Sequence, residues 1–538
     1  MPQPPMPPTT ITLAVRCNKS TMTRHIPPYL ILGLITATGS TTAATAPIDF
    51  PVEHVRVAGD NPLSDSQTGQ LLARFLHRRH TLASLRSVAK TLETHLHEQG
   101  YSFYTVIVPP QTLGADATLQ LEVKALTLAE IQVEGNQHFS SDNILASLPH
   151  LRLHQIPDND RLAADIKYAN QHPHKQVNVI FHPLVHSENP GARVSVKDRS
   201  PHEFLWMMNT RGSAQTGDFR MMGAWQYSNL WGLDHIINVN YTLSPDHFDE
   251  VRQYGASYQL PVYRLKGWLS GYYARSDVDT GTVGGLFDIS GSGEMAGVHY
   301  RQFLPHWRGY EHWLNAGFDD KLFNNDVIYG QVQNIGADVR SRPFSLTYQA
   351  QFSQDGLRAG WDVGWVGNLG GGDYNDRSAY TATRQGARPD WNAVRFGAFW
   401  DVGLPLDFSW HNTVSGQYSS DLLIPAEQMG LGGLTTVRGY REREVGGDSG
   451  HLFKTEFWTP ELLPGLHVLA FYDQGHAELQ RTLPGEKSAQ WLRSTGMGAR
   501  WHWQQNLSLS VDLAHAFDRS PQTRAGHGRV HAQVMYRF

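Results

Sequence analysis

From about residue 200 to the end of the chain, apolar and polar positions alternate with a period of two. Ile237, Val239 and Tyr241 interleave with Asn238, Asn240 and Thr242; Leu507, Leu509, Val511 and Leu513 interleave with Ser508, Ser510, Asp512 and Ala514; Val530, Ala532, Val534, Tyr536 and Phe538 share one face of the last segment. Such alternation predicts strands that show one face to an apolar medium and the other to a polar one. Residues 50–199 read differently. Val52 to Val57 can form a strand, Ser66 to Arg79 a helix, and a second helix starts behind Thr81, with Leu82, Leu85, Val88, Ala89, Leu92 and Leu96 at helical spacing and Gly100 as its stop. Strands follow at Tyr104–Val108 and Thr118–Lys124, where Leu119, Leu121 and Val123 share a face. The order strand, helix, helix, strand, strand begins again at Leu128. Ile131 and Val133 alternate with Glu130, Gln132 and Glu134 up to a Gly135-Asn136 turn; helices are predicted over about 141–149 and around Leu162, Ile166 and Ala169, and strands near 176–181 and 192–198. The two units form an internal repeat of roughly 75 residues.

Upstream, Arg24 and His25 precede the apolar run Tyr29–Ile35, and small residues continue through Ala46, the layout of a secretory signal peptide. Met22 is the expected start, because residues 1–21 are rich in Pro and Thr, and Pro47 argues for cleavage near Ala44 rather than after Ala46. The run is well short of the ~20 apolar residues of a spanning helix. No later stretch is long and apolar enough either, and mean hydropathy is −0.40. A closed barrel is the other structure that satisfies every backbone hydrogen bond in lipid. Dividing roughly 340 residues by ~20 per strand and connection predicts about sixteen strands. The expected architecture is therefore a leader (1–46), two α+β units (47–125 and 126–200) and a transmembrane antiparallel β-barrel (201–538).

Composition narrows the functional classes. Aromatics at 11%, 50 glycines and only 18% charged residues suit a β-rich protein with rings on its surface. A formal charge of −5 gives no basic footprint for nucleic acid. The only cysteine, Cys17, lies in the leader, so the mature chain has no thiol for disulfides, zinc or nucleophilic chemistry. The 27 histidines include no H-E-x-x-H, and the pairs His95/His97 and His172/His174 fall in or beside polar helix ends, where solvated side chains are expected. Gly291-Ser-Gly293 and Gly370-Gly-Gly372 lack the strand-to-helix context of a phosphate loop, and Glu461 and the scattered acids form no catalytic pair. Neither an enzyme activity, a cofactor nor a metal is expected.

Several stretches carry a resemblance. VPPQTLGADATLQLEVKALTLAEIQVEGNQHFS, from Val108 to Ser140, resembles the junction of the two polypeptide-transport-associated (POTRA) domains of two-partner secretion outer-membrane transporters (TpsB-type, the haemolysin/haemagglutinin secretion-activation family), with Pro110 where the family commonly has an acidic residue. Asn170, Pro173 and Val177, followed by Pro190-Gly-Ala-Arg-Val-Ser-Val-Lys-Asp198, are similar to the end of the second domain. NTRGSAQTGDFRMMGAWQYSNLWGLDH, from Asn209, resembles the start of the family's barrels, with Gly212, Thr216, Gly217, Arg220, Asn229, Gly232 and Asp234 matching. EQMGLGGLTTVRGYRE, residues 427–442, resembles its inward-folded loop, whose core here is Val437-Arg438-Gly439-Tyr440, and FYDQG, from Phe471 through Asp473 to Gly475, resembles the strand motif facing that loop. A terminal Phe538 on an alternating strand that also bears Tyr536 resembles the address read by the barrel assembly machinery.

The resemblance covers essentially the whole mature chain. It implies periplasmic POTRA domains that capture a large exoprotein of the adhesin or haemolysin type, and a barrel in outer-membrane lipid that passes it to the cell surface without ATP. The alternative in the same superfamily, an assembly insertase, normally carries more than two POTRA domains. A barrel-embedded enzyme would need a triad or dyad, and a TonB-dependent receptor an N-terminal plug and a longer barrel. Many family members have a plug helix before the first POTRA domain, whereas only a few residues here separate the expected cleavage site from Asp49-Phe50, so pore closure is expected to fall on the 427–442 loop or on the client.

The residues of the last two motifs carry their own chemistry. Phe471, Asp473 and Gly475 share a parity, and Val468, Ala470 and Tyr472 take the other, more apolar one, so Asp473 is expected to face the lumen. A buried carboxylate needs a partner, and the Arg438 guanidinium can pair with it through two parallel hydrogen bonds. Gly439 lets the loop tip turn tightly and Gly475 leaves room for it at the wall. The competing arrangement leaves Arg438 on a surface loop with no partner.

Overall fold

The computed structural model describes residues 49–538 apart from 113–115, 213–216, 249–250, 278–281, 284–288, 291, 306, 308, 325–337, 483–486 and 505. The expected leader with Cys17, Met22 and Ala44, together with Thr216 and Gly291, lies outside the described residues.

In the first small unit, His54–Gly59 runs parallel to Thr118–Ala125, which pairs on its other side with Tyr104–Ile107. The helix Leu82–Glu98 covers this sheet. Thr81 Oγ1 accepts the Ser84 N–H at its start, and Leu85, Val88, Leu92 and Leu96 pack on Leu119, Leu121 and Val123. The expected helix over 66–79 is shorter. It begins in a capping box between Ser64 and Gln67, ends at Leu72 and tightens into a 3₁₀ turn over Ala73–Phe75. The reason lies outside the helix: Arg78–His80 is taken up as a strand against Phe50–Val52, and His77 turns the chain at a φ of 56°. The same pairing splits the expected 52–57 strand at Glu53.

The second unit repeats the plan, with Glu130–Glu134 parallel to Ser187–Asp198 and the latter antiparallel to Lys175–Leu184. Asn170 ties its last helix, Asn159–Ala169, to the sheet by donating to the Val177 carbonyl (3.0 Å) and accepting the Val177 N–H (2.7 Å). The Asp198 carboxylate collects the N–H groups of Gln137, His138 and Phe139 at 2.8–3.1 Å and so pins the turn after the first strand. The helix expected over 141–149 stops at Ala146, where Ser147 Oγ bonds back to the Ile144 carbonyl.

The rest closes into a barrel of sixteen antiparallel strands. They are, in order, His202–Asn209, Arg220–Leu230, His235–Leu243, Arg252–Val262, Gly267–Ser276, Ser292–Phe303, Tyr310–Asn324, Val339–Ser341 continued by Pro343–Gln354, Leu357–Asn368, Asn392–Gly403, Ser409–Tyr418, Ser449–Trp458, Leu466–Glu478, Ala489–Trp503, Leu507–Ala516 and Gly528–Arg537. Closure comes from Leu205–Asn209 of the first strand against Gln533–Arg537 of the last. The eighth strand is interrupted at Arg342, whose N–H goes to Asn368 Oδ1 instead of the ladder (2.5 Å). Tyr241, Tyr254, Phe318, Trp361, Trp365, Leu513 and Val530 stand exposed on the outer face. An apolar girdle of this extent requires lipid around it. Among the described residues no helix is long and apolar enough to cross a membrane.

Candidate functional site

The segment between the eleventh and twelfth strands, residues 419–448, turns back into the barrel. Met429–Leu431 pairs antiparallel with Val445–Gly447, which gives the loop a backbone ladder of its own, and Gly432 and Gly433 turn the chain at φ 109° and 100°. Beyond the ladder, Thr436 Oγ1 accepts the Gly432 N–H and donates to its carbonyl, folding the tip tightly. Leu431, Val437, Tyr440 and Val445 then pack against the wall residues Leu452, Ala477, Leu492 and Ala516. The tip is thus seated by apolar contact before any charge is considered.

At the tip the structure brings Arg438 and Asp473 together. Nε and Nη2 of Arg438 donate to Oδ2 and Oδ1 of Asp473, both at 2.7 Å, and the Arg438 backbone N–H adds a bond to Oδ2 at 3.1 Å. The third guanidinium nitrogen donates to Glu456 Oε1 at 2.7 Å and lies 3.5 Å from Asp512 Oδ2. The guanidinium carbon sits 3.5 Å from the centre of the Phe471 ring. The side chains of Arg438 and Asp473 are 1% and 0% exposed. Arg500 pairs with Asp512 at 2.8 Å, and Lys454, opposite Asp473 on the neighbouring strand, donates to the Thr435 carbonyl at 3.2 Å. Carboxylates of Asp473, Glu456 and Asp512 are therefore balanced by the cations of Arg438, Arg500 and Lys454, the condition under which buried charge is tolerated.

The other residues of the two motifs fall around this pair. Gly439 has a φ of 92°, which strains any side chain, and its N–H donates to His531 Nε2 at 2.9 Å. The Tyr440 hydroxyl reaches the Arg493 carbonyl (2.9 Å) and accepts the Asp518 N–H (3.0 Å). A Cβ at Gly475 would stand 2.9 Å from both Leu431 Cδ1 and Val437 Cγ2, so the loop packs directly on bare backbone there. Tyr536 and Phe538 lie far from the loop, on the outer face, ring edge to face at 4.6 Å, and the Phe538 N–H donates to the Phe204 carbonyl at 2.9 Å. Glu456, Asp512, Arg500, Lys454 and His531 belong to the tip network although sequence motifs did not mark them. For Asp512 the signal was available, since it alternates with the lipid-facing Val511 and Leu513.

A second buried network joins the second small unit to the barrel. Lys175 Nζ donates to Asp234 Oδ2 (2.5 Å) and Asn143 Oδ1 (2.9 Å), with the Lys and Asp side chains both 0% exposed. The Tyr263 hydroxyl donates to the same carboxylate. Asn143 Nδ2 donates to the Gly232 carbonyl at 2.8 Å and the Tyr168 hydroxyl to the Gly267 carbonyl at 2.6 Å, so both turns, after the second and fourth strands, are gripped. His172 and His174, expected to be solvated, are buried here: His172 Nε2 donates to the Ser228 carbonyl (2.8 Å) and His174 Nδ1 lies 2.5 Å from Ser228 Oγ. The polar end of the helix Asn159–Ala169 is covered by the barrel, an association that periodicity within one unit does not reveal. Burial pushes the His172 imidazole down to about 4, with Lys175 acting in the same direction and Asp234 opposing it. The ring is therefore neutral at physiological pH.

Comparison with known proteins places the architecture. Residues 192–501 match the model of the haemolysin secretion/activation protein ShlB/FhaC/HecB family, and residues 50–124 match the ShlB-type POTRA domain. The chain belongs to the ShlB/FhaC/HecB family. Among its relatives, the heme/hemopexin transporter protein HuxB of Haemophilus influenzae is 20% identical over 492 residues, covering 88% of this chain and 85% of that protein. The outer membrane transporter CdiB of Dickeya dadantii is 21% identical over 499 residues, covering 88% and 85%. The solved structure of CdiB from Escherichia coli superposes with a TM-score of 0.68 at 17% identity and covers 93% of each chain. BamA from Haemophilus ducreyi lacking POTRA domains 1-3 shares the fold less closely, with a TM-score of 0.51 at 14% identity. As a family member the chain is a two-partner secretion transporter of the outer membrane, which translocates exoprotein across that membrane and holds its POTRA domain in the periplasm. The turns gripped by Lys175 and Tyr168 then face the periplasm, and the 419–448 loop enters from the outer side.

Proposed function

We propose that this transporter takes a large exoprotein of the adhesin or haemolysin type from the periplasm in extended form and passes it through the barrel lumen, with the 427–442 loop restricting the pore between clients. The observation that carries the reading is the fully buried Arg438–Asp473 pair, which seats a loop across the inside of a closed barrel. Capture by strand addition suits the two small units, whose outer strands Tyr104–Ile107 and Lys175–Leu184 each pair on one side only in their sheets. The reading includes no catalytic step and no nucleotide: folding of the client outside the cell supplies the direction. Tyr536 and Phe538, on the lipid side of the closing strand, are the residues offered to the barrel assembly machinery.

The test is secretion of a candidate large exoprotein, ideally one encoded beside this protein, in a host with and without it. Release into the medium only when both are present supports the reading. A client left in the periplasm, while the level of this protein changes how fast other barrels assemble, transfers the assignment to the insertase alternative.

A further inference from the structure

Besides Arg438, the loop buries the charges of Glu444, which accepts from Gln522 and Thr523, of Asp448, which pairs with Arg384, and, far from the tip, of Glu427. Glu427, at the head of the 427–442 segment, has a side chain 1% exposed. Its Oε1 accepts from Lys321 Nζ at 3.2 Å and its Oε2 from Arg395 Nη2 at 3.1 Å. Gln417 completes the seat, accepting Arg395 Nε at 2.8 Å and donating to the Glu427 carbonyl at 3.1 Å. Just before it, Leu423 and Ile424 are fully buried against Tyr380, Trp391 and Phe323. The outer limb of the loop is thus held by the seventh, tenth and eleventh strands, and the tip by the twelfth, thirteenth and fifteenth. Lys321 lies on the seventh strand and Asp512 on the fifteenth, half-way round the ring of sixteen.

We propose that Glu427 is the releasable anchor of the loop. Between the two anchors the loop lies against the lumen wall, and a polypeptide entering the pore frees its outer limb by competing for Lys321 and Arg395 with its own acidic groups. The inequality of the two anchors carries this. Arg438 and Asp473 are both sealed from water, meet through a planar two-bond fork and are backed by two further carboxylates and an aromatic face. The cations that hold Glu427 remain in reach of lumen water, with Lys321 14% and Arg395 42% exposed. Water and mobile ions screen such a pair far more than a sealed one. A single carboxylate divided between two partly solvated cations therefore yields first, while the tip stays seated. The assignment rests on the reading of the loop as the restriction of the pore.

Conductance of the purified protein in planar lipid bilayers tests it. Glu427→Gln keeps the shape of the side chain and removes its charge, and is expected to raise open-state occupancy by about ten-fold, the order of one coupling interaction. Wild-type occupancy is expected to climb with salt concentration and that of the variant to change little. Should Glu427→Gln fail to give a heat-modifiable barrel, the double variant Lys321→Gln/Arg395→Gln removes the partners instead and is expected to give the same gain. Wild-type occupancy in these variants, with a rise in Arg438→Ala, overturns the Glu427 anchor and leaves the restricting loop standing. If Arg438→Ala is unchanged as well, the restricting role of the loop falls, and the anchor with it.

Discussion

Arg438→Ala is expected to abolish secretion of the client and to leave an abnormally conducting pore, in a barrel that still inserts. The substitution removes a cation that contacts Asp473, Glu456 and Asp512 together. Asp473 would remain at 0% exposure, and Arg500 and Lys454 point to other partners. Stripping one member from a buried pair costs about 3–5 kcal/mol because the other charge stays desolvated. The tip keeps its apolar seat around Val437 and Tyr440 and the hydrogen bonds of Gly439 and Tyr440, but none of these neutralises the Asp473 carboxylate. Detachment of the tip relieves the buried carboxylate by letting water in. The barrel wall, closed by its own ladders, does not depend on it. Arg438→Lys restores the charge without the planar fork and cannot serve both Asp473 oxygens and Glu456 at once, so intermediate secretion is expected. Client in the medium, measured beside heat-modifiable migration of the barrel, checks this. Wild-type secretion from a correctly inserted Arg438→Ala protein contradicts it.

Lys175→Met is expected to uncouple the second small unit from the barrel. Lys175 and Asp234 are both without exposure, and Asp234 also receives the Tyr263 hydroxyl, so the ammonium is the charge that permits a carboxylate at this junction. Loss of the cation carries roughly the same 3–5 kcal/mol penalty. Here it falls on an interface between the second small unit, which keeps its own hydrophobic cluster, and a barrel closed by its own ladders. The expected result is a folded unit that swings beneath the barrel: faster proteolysis around Arg199–Pro201 and reduced secretion. The double variant Lys175→Met/Asp234→Asn removes both charges and is expected to be less damaged than the single one, because no uncompensated charge remains. Unchanged proteolysis in Lys175→Met would show that the junction of this unit with the barrel is held by other contacts.

What the sequence disclosed depended on the range of the interaction that decides each feature. Helix Leu82–Glu98 was legible because its cap at Thr81 and its apolar stripe are local, and the sixteen strands followed from alternation and length. The direction of Asp473 was legible for the same reason, since side-chain parity on a strand is fixed by its neighbours. The end of the first helix was not. Leu71, Leu72, Phe75 and Leu76 suit an α-helix, and only the pairing of Arg78–His80 with Phe50–Val52 stops it. Nor could the partners of Arg438 beyond Asp473 be read, because Glu456, Asp512 and His531 come from three strands whose approach to the loop depends on barrel closure. His172 and His174 show the same limit: polar residues at a helix end read as solvated until another domain covers them.

The most direct test of passage through the lumen is site-specific photo-cross-linking to a client arrested part-way by a stably folded domain. His299 and Val298 are adjacent on the sixth strand and point to opposite sides, His299 bonding the lumen-side Asp319 at 2.8 Å and Val298 standing 57% exposed on the outer face. Passage through the lumen predicts cross-links from a photoreactive residue at position 299 and none from 298. Cross-links confined to Leu205 and Tyr536, on the strands that close the barrel, with none at 299, would place the client at the seam in the manner of an insertase and contradict it.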